Sequence, residues 1–196
     1  MRYLLPLAAL LAPVAVAAQV ADPARAPVQT LDDGLLAIMK AGKAAGVAGR
    51  TARIAPVVDR AFDIPLMTRL VVGPSWNAID PGDQTALVAA FRRMTIAQYA
   101  KNFDSWSGES FTIAPQVESR SGDKLVRTTL TGSSAPVAIS YRLRQSGGQW
   151  KIIDVFYKNS ISQLATRRAD FAAVLASGGA KALIAHLEQL AAKTGA

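Results

Sequence analysis

The chain has 196 residues, 51% of them hydrophobic, 18% charged and 7% aromatic, a length and composition suited to one domain that buries roughly 70% of its unfolded surface. Lys and Arg outnumber Asp and Glu by 22 to 14, a net charge of +8. Cysteine is absent and histidine occurs once, at His186, which excludes thiol nucleophiles, zinc fingers and sites requiring two imidazoles.

Met1-Arg2-Tyr3 precedes an apolar run from Leu4 to Ala18, interrupted only by Pro6 and Pro13. One basic residue, an apolar stretch and small residues at Val16 and Ala18, or at Ala15 and Ala17, predict a signal peptide over 1–18, cleaved before Gln19 or Ala18. The remaining 19–196 is expected to form a single exported α+β domain. Cleavage removes Arg2 and no acid, so the exported chain carries +7. Such a field suits an anionic surface, phospholipid headgroups or a cell envelope polymer, met by transient contact, or serves only solubility, since the Lys and Arg residues are scattered. An exported chain is not expected to bind nucleic acid.

After a Pro-containing segment, Thr30-Leu31-Asp32-Asp33 reads as a helix start with Thr30 as the cap. Leu31, Leu35, Ile38, Met39 and Gly42 share one side of that helix, and Gly42, Gly46 and Gly49 end it. Two short helices are expected between Ile54 and Val72, with Pro56 and Pro65 in their first turns, before Gly73-Pro74-Ser75 breaks the chain. Asp80-Pro81 then opens a long helix to about Phe103, with Leu87, Val88, Phe91, Met94 and Tyr99 on its apolar face.

From Phe111 the hydrophobic period changes to two. Val137, Ile139, Tyr141 and Leu143 alternate with Ala138, Ser140, Arg142 and Arg144. Together with 110–119, 124–131 and 149–157 this predicts a four-stranded antiparallel meander. Strict alternation sends Trp150 and Ile152 to one face of the last strand and Ile153, Val155 and Tyr157 to the other. Ser160-Ile161-Ser162-Gln163 reads as a capping box opening a helix to about Ala176, Gly178-Gly179 ends that helix, and a final one carries Leu183, Ile184, Leu187 and Leu190. The fold class is therefore α+β, with N-terminal helices, a curved four-stranded sheet and two C-terminal helices.

Two residues could serve acid/base chemistry. His186 flanks the apolar stripe of the last helix, where packing is the simpler role, and Asp154 reads as a structural carboxylate paired with Arg167 or Arg168. Neither has a nucleophile or second acid at a recognisable spacing, and no Gly-rich phosphate loop is present. No catalytic residue, cofactor or metal is expected; a small isomerase or hydrolase using Asp154 or His186 is the competing reading, and an envelope adaptor with a solid core is the third. What remains is an apolar surplus, including Met67, Val71 and Val72, able to face one interior.

The run Phe62-Asp63-Ile64-Pro65-Leu66-Met67-Thr68-Arg69-Leu70-Val71-Val72-Gly73-Pro74-Ser75-Trp76, followed by Phe91 and Tyr99, resembles the helical half of the MlaC family of periplasmic phospholipid-binding proteins. Val137 to Tyr141, Gln149 to Val155 and Ser160 to Phe171 are similar to its second half, and Ser-Ile-Ser-Gln-Leu-Ala-Thr-Arg-Arg is closest to its hopanoid-associated HpnM branch. Asn159 stands where many MlaC-like chains have glycine. The resemblance spans about residues 30–190. It implies a curved sheet and helices around an apolar pocket for a phospholipid or hopanoid-type lipid, carried without catalysis between an outer-membrane lipid complex and an inner-membrane ABC transporter, a task tied to outer-membrane asymmetry. The expected pocket wall is Leu70, Trp76, Phe91, Met94, Ile139, Tyr141, Ile153 and Val155.

Overall fold

A computed structural model describes residues 21–195; the expected signal peptide over 1–18 lies outside the described residues. Helices α1 (Arg25–Ala41), α2 (Gly46–Ala61), α3 (Ile64–Val72) and α4 (Pro81–Asn102) come first. The strands β1 (Ser110–Arg120), β2 (Asp123–Thr131), β3 (Val137–Ser146), β4 (Gln149–Tyr157) and β5 (Ile161–Ser162) follow, and α5 (Gln163–Gly195) closes the chain. The strands form one antiparallel sheet in the order β1-β2-β3-β4-β5.

Two of the four N-terminal helix starts differ from the sequence expectation. Helix α1 begins at Arg25 rather than after Thr30, because Asp22-Pro23 is the same start signal as Asp80-Pro81: the Asp22 carboxylate accepts the Ala24 N–H at 2.9 Å. Pro27 costs nothing there, since first-turn N–H groups have no intrahelical partner. Thr30 lies mid-helix and donates to the Ala26 carbonyl. Gly42 and Gly46, at φ 61° and 62°, bracket a 3₁₀ turn over Lys43–Ala45, but Gly49 belongs to α2. Helix α2 thus starts eight residues before Ile54 and runs through Pro56, while only Pro65 occupies a first turn, that of α3. The break between them is Phe62-Asp63, where Asp63 caps α3 through Leu66 N–H and donates its own N–H to the Ile152 carbonyl of β4 at 2.9 Å.

The fifth strand is two residues long and pairs Ser162 with Phe156 and Ile161 with Tyr157. The α5 cap is accordingly Ser162 rather than Ser160: its hydroxyl accepts the Ala165 N–H at 2.9 Å. Gly179, at φ 65° and ψ −160°, breaks α5 into two arms where Gly178-Gly179 predicted the end of one helix and the start of another.

Strand β4 departs from strict alternation. Arg142 pairs with Asp154 and Leu143 with Ile152, leaving Ile153 without a partner as a β-bulge. One extra residue reverses the alternation. Ile152 therefore faces with Leu143, and Val155 with Tyr141, on the same side of the sheet. Ile153 is buried in the core.

The core runs from α1 through α2, α3 and α4 to the inner face of the sheet, with Leu31, Ile38, Ile54, Leu87, Leu143 and Ile152 fully buried. Arg50 ties three helices together at that level, donating to the Ala100 carbonyl of α4 at 2.7 Å and to the Gly42 carbonyl at 2.8 Å. These are carbonyls near helix C-termini, where the helix dipole favours a cation.

Candidate functional site

Between the inner sheet face and the helices lies a cavity of about 580 Å³, within the size range of small-molecule sites. Helix α4 contributes Thr95, Gln98, Tyr99 and Asn102, and Phe103 follows directly after it. Their spacing, i, i+3, i+4, i+7 and i+8, is that of a single helical face. The sheet contributes Leu130 from β2, Val137, Ile139 and Tyr141 from β3, and Val155 and Tyr157 from β4. These meet because the register pairs Ile139 with Tyr157 and Tyr141 with Val155, and because the bulge at Ile153 turns Val155 inward. Leu35 of α1, Phe62, Met67 of α3, and Gln163, Leu164 and Arg167 of α5 complete the wall.

The lining is mainly apolar and partly aromatic. Phe62, Tyr99 and Phe103 form a tilted row with centroid separations of 5.8 and 6.0 Å. Burial pushes the Tyr99 hydroxyl up to about 12 and the Tyr141 hydroxyl well above its ordinary value, so both remain neutral. One turn before Leu35, Asp32 is 1% exposed, and neither carboxylate oxygen has a hydrogen-bond partner. Burial, reinforced by the charge of Asp33, raises its pKa to about 7; the Tyr141 hydroxyl tempers the rise without reaching hydrogen-bonding geometry.

Arg167 is the cation of the wall. Its guanidinium lies 5.3 Å above the centroid of the Phe91 ring and donates to Thr95 Oγ1 at 3.4 Å and to Gln98 Oε1. Burial lowers its pKa. The expected pairing of Asp154 with Arg167 or Arg168 does not form. Asp154 instead caps α5, accepting the Val155 N–H at 2.8 Å, the Leu164 N–H at 3.0 Å and the Ser162 hydroxyl at 2.6 Å. Arg168 packs its guanidinium against Gly73, where an added Cβ would lie 3.0 Å from Nη2. His186 meets Phe171 edge-on at 6.0 Å.

Of the eight residues expected to form the wall, Ile139, Tyr141 and Val155 line the cavity. The other five do not. Phe91, one turn before Thr95, and Met94, its immediate neighbour in sequence, are packed in solid core, and Ile153 is the bulged core residue. Leu70 occupies a half-buried flank of α3, and Trp76 packs against the core from the 3₁₀ turn over Gly73–Ala78. Hydrophobic patterning selects apolar residues and so passes over Thr95, Gln98 and Asn102, although their offsets from Tyr99 and Phe103 put all five on one helical face.

The "MlaC protein" family model matches residues 29–189, a span that contains every lining residue of the cavity. The chain belongs to the MlaC family. A solved structure of a phospholipid-binding protein from Ralstonia solanacearum, in complex with a phospholipid, has the same fold: TM-score 0.77 and 23% identity over 89% of this chain and 100% of that one. No curated protein matches the chain. In this MlaC chain the bulge of β4, the cap of α5 and the stripe of α4 converge on one partly open space, and that convergence gives the cavity its shape.

Proposed function

We propose that the chain is a periplasmic lipid carrier that holds the acyl part of a phospholipid, or a hopanoid-type lipid, in the cavity between sheet and helices. It moves that cargo between an outer-membrane lipid complex and an inner-membrane ABC transporter, touching a membrane surface only transiently and doing no chemistry on the lipid. The observation that carries this reading is the cavity itself: about 580 Å³, walled by the Phe62-Tyr99-Phe103 row and the inward face of β3 and β4 in an MlaC-family chain. The Ralstonia solanacearum protein of the same fold, solved with a phospholipid, supports it. So do Asp154 and His186, which serve as a helix cap and a packing contact.

Transfer of each methylene out of water is worth about 0.8 kcal/mol, so a chain of about fifteen contributes on the order of 12 kcal/mol. Release into water is then too slow to be useful, and cargo must exchange with a docked membrane component that offers equally apolar surroundings. The test is transfer of a labelled phospholipid between donor and acceptor vesicles. The carrier reading expects acceleration in proportion to protein concentration with the lipid recovered intact, whereas conversion of the lipid to a new species would establish the enzyme reading instead.

A further inference from the structure

We propose that Arg167 is an anion anchor in the wall of the cavity, receiving the oxyanion of an acidic amphiphile: a phospholipid phosphodiester or a fatty-acid carboxylate. The inference rests on the lipid-binding reading above and deepens it, because it selects acidic lipids over uncharged ones, hopanoid-type lipids included.

The chain contains its own control for how a buried guanidinium is satisfied. Arg50, 4% exposed, is met by two backbone carbonyls near helix C-termini. Arg167, half-buried in the cavity wall, has no backbone carbonyl partner. Among the described residues no carboxylate lies within ion-pair distance of it. Asp154, whose field does reach it, has both oxygens engaged by Val155, Leu164 and Ser162.

A guanidinium offers five N–H donors, and Arg167 uses two, both on the neutral side chains of Thr95 and Gln98. One of these bonds is long, at 3.4 Å. The guanidinium carbon lies over the Phe91 ring, 5.3 Å from its centroid, a cation–π contact that occupies no N–H donor. A cation held against an apolar cavity without a counter-charge is costly, and a planar fork with free donors is the geometry that binds an oxyanion through two oxygens. Every other polar side chain that the helices bring to the wall, Thr95, Gln98, Tyr99, Asn102 and Gln163, is neutral.

The experiment uses the delipidated exported chain and titration calorimetry with two matched pairs below their micelle concentrations. Dodecanoate is compared with methyl dodecanoate, and dodecanoyl lysophosphatidylglycerol with dodecanoyl monoacylglycerol. The wild type should bind the acidic member of at least one pair about tenfold more tightly than its neutral partner, as charge-assisted hydrogen bonds require. The pair that shows the preference identifies the head as carboxylate or phosphodiester. Arg167→Gln should bind acid and neutral partner alike, at the wild-type affinity for the neutral one, while Arg167→Lys should recover some of the preference.

Equal affinity for acid and neutral partner in the wild type overturns the anchor while leaving the lipid-binding reading in place, and needs no variant to fold. Persistence of the preference in Arg167→Gln overturns it as well. Failure of all four compounds to bind removes the lipid-binding reading and the anchor with it.

Discussion

Asp32 is a buried carboxylate with no hydrogen-bond partner on either oxygen. Its folded pKa, about 7, lies above the unfolded value of 3.8, so the unfolded chain releases this proton first as pH rises. The folded state is penalised increasingly between about pH 4 and pH 7, and the penalty is constant above, at most on the order of 4 kcal/mol. Asp32→Asn should therefore raise the melting temperature more at pH 8 than at pH 5. A gain independent of pH would show that Asp32 does not titrate in this range. Asp154 stands at the opposite extreme, with three hydrogen bonds. Asp154→Asn should cost about 1 to 3 kcal/mol of stability, because an amide nitrogen cannot accept a hydrogen bond from a donor. Lipid transfer per folded molecule should persist, both there and in His186→Ala, by the vesicle assay; a loss of about 10²- to 10⁴-fold in either would indicate a general acid or base.

At the scale of elements, close approach rather than strand pairing fixes how α1 meets α2. A Cβ added at Gly34 would lie 2.6 Å from Val57 Cγ1, so Gly34→Ala must push the two helices apart. We expect destabilisation of about 1 to 3 kcal/mol in chemical denaturation; an unchanged midpoint would mean that the helices adjust freely. The elements most legible in the sequence were those with one dominant local signal. Asp80-Pro81 placed the start of α4 to the residue, and the alternation from Val137 to Leu143 gave β3 its inner face. Asp22-Pro23 carries the same start signal, but it follows closely on the leader-like apolar run and competes with a second candidate cap at Thr30. The α2 start was hidden because Gly46 and Gly49 read as terminators although only Gly46 adopts positive φ. The β4 bulge was not legible at all. Ile152-Ile153-Asp154-Val155 satisfies either parity, and the choice belongs to its neighbours: Leu143 takes Ile152 and Tyr141 takes Val155.

Over the whole molecule, the cavity exists because helices and sheet do not close completely. Its wall therefore draws on residues far apart in sequence, from Leu35 to Arg167, and much of the helical contribution is polar. Hydrophobic arithmetic could see that apolar residues exceed what surface positions need. It could not separate the fully packed residues Phe91 and Met94 from the open region that begins at Thr95, because that division depends on which parts of distant elements meet α4. In a packed core an inserted indole displaces neighbours and lowers stability, whereas in a lipid-filled space it takes the place of the lipid. The most direct measurement is the lipid content, by mass spectrometry of organic extracts, of purified wild type and Val155→Trp, with the stability of the delipidated proteins compared because bound ligand itself stabilises the fold. We predict lipid in the wild type and a marked loss in Val155→Trp, with delipidated stability nearly unchanged. Lipid-free wild type, or wild-type lipid content in a destabilised Val155→Trp, would contradict the account.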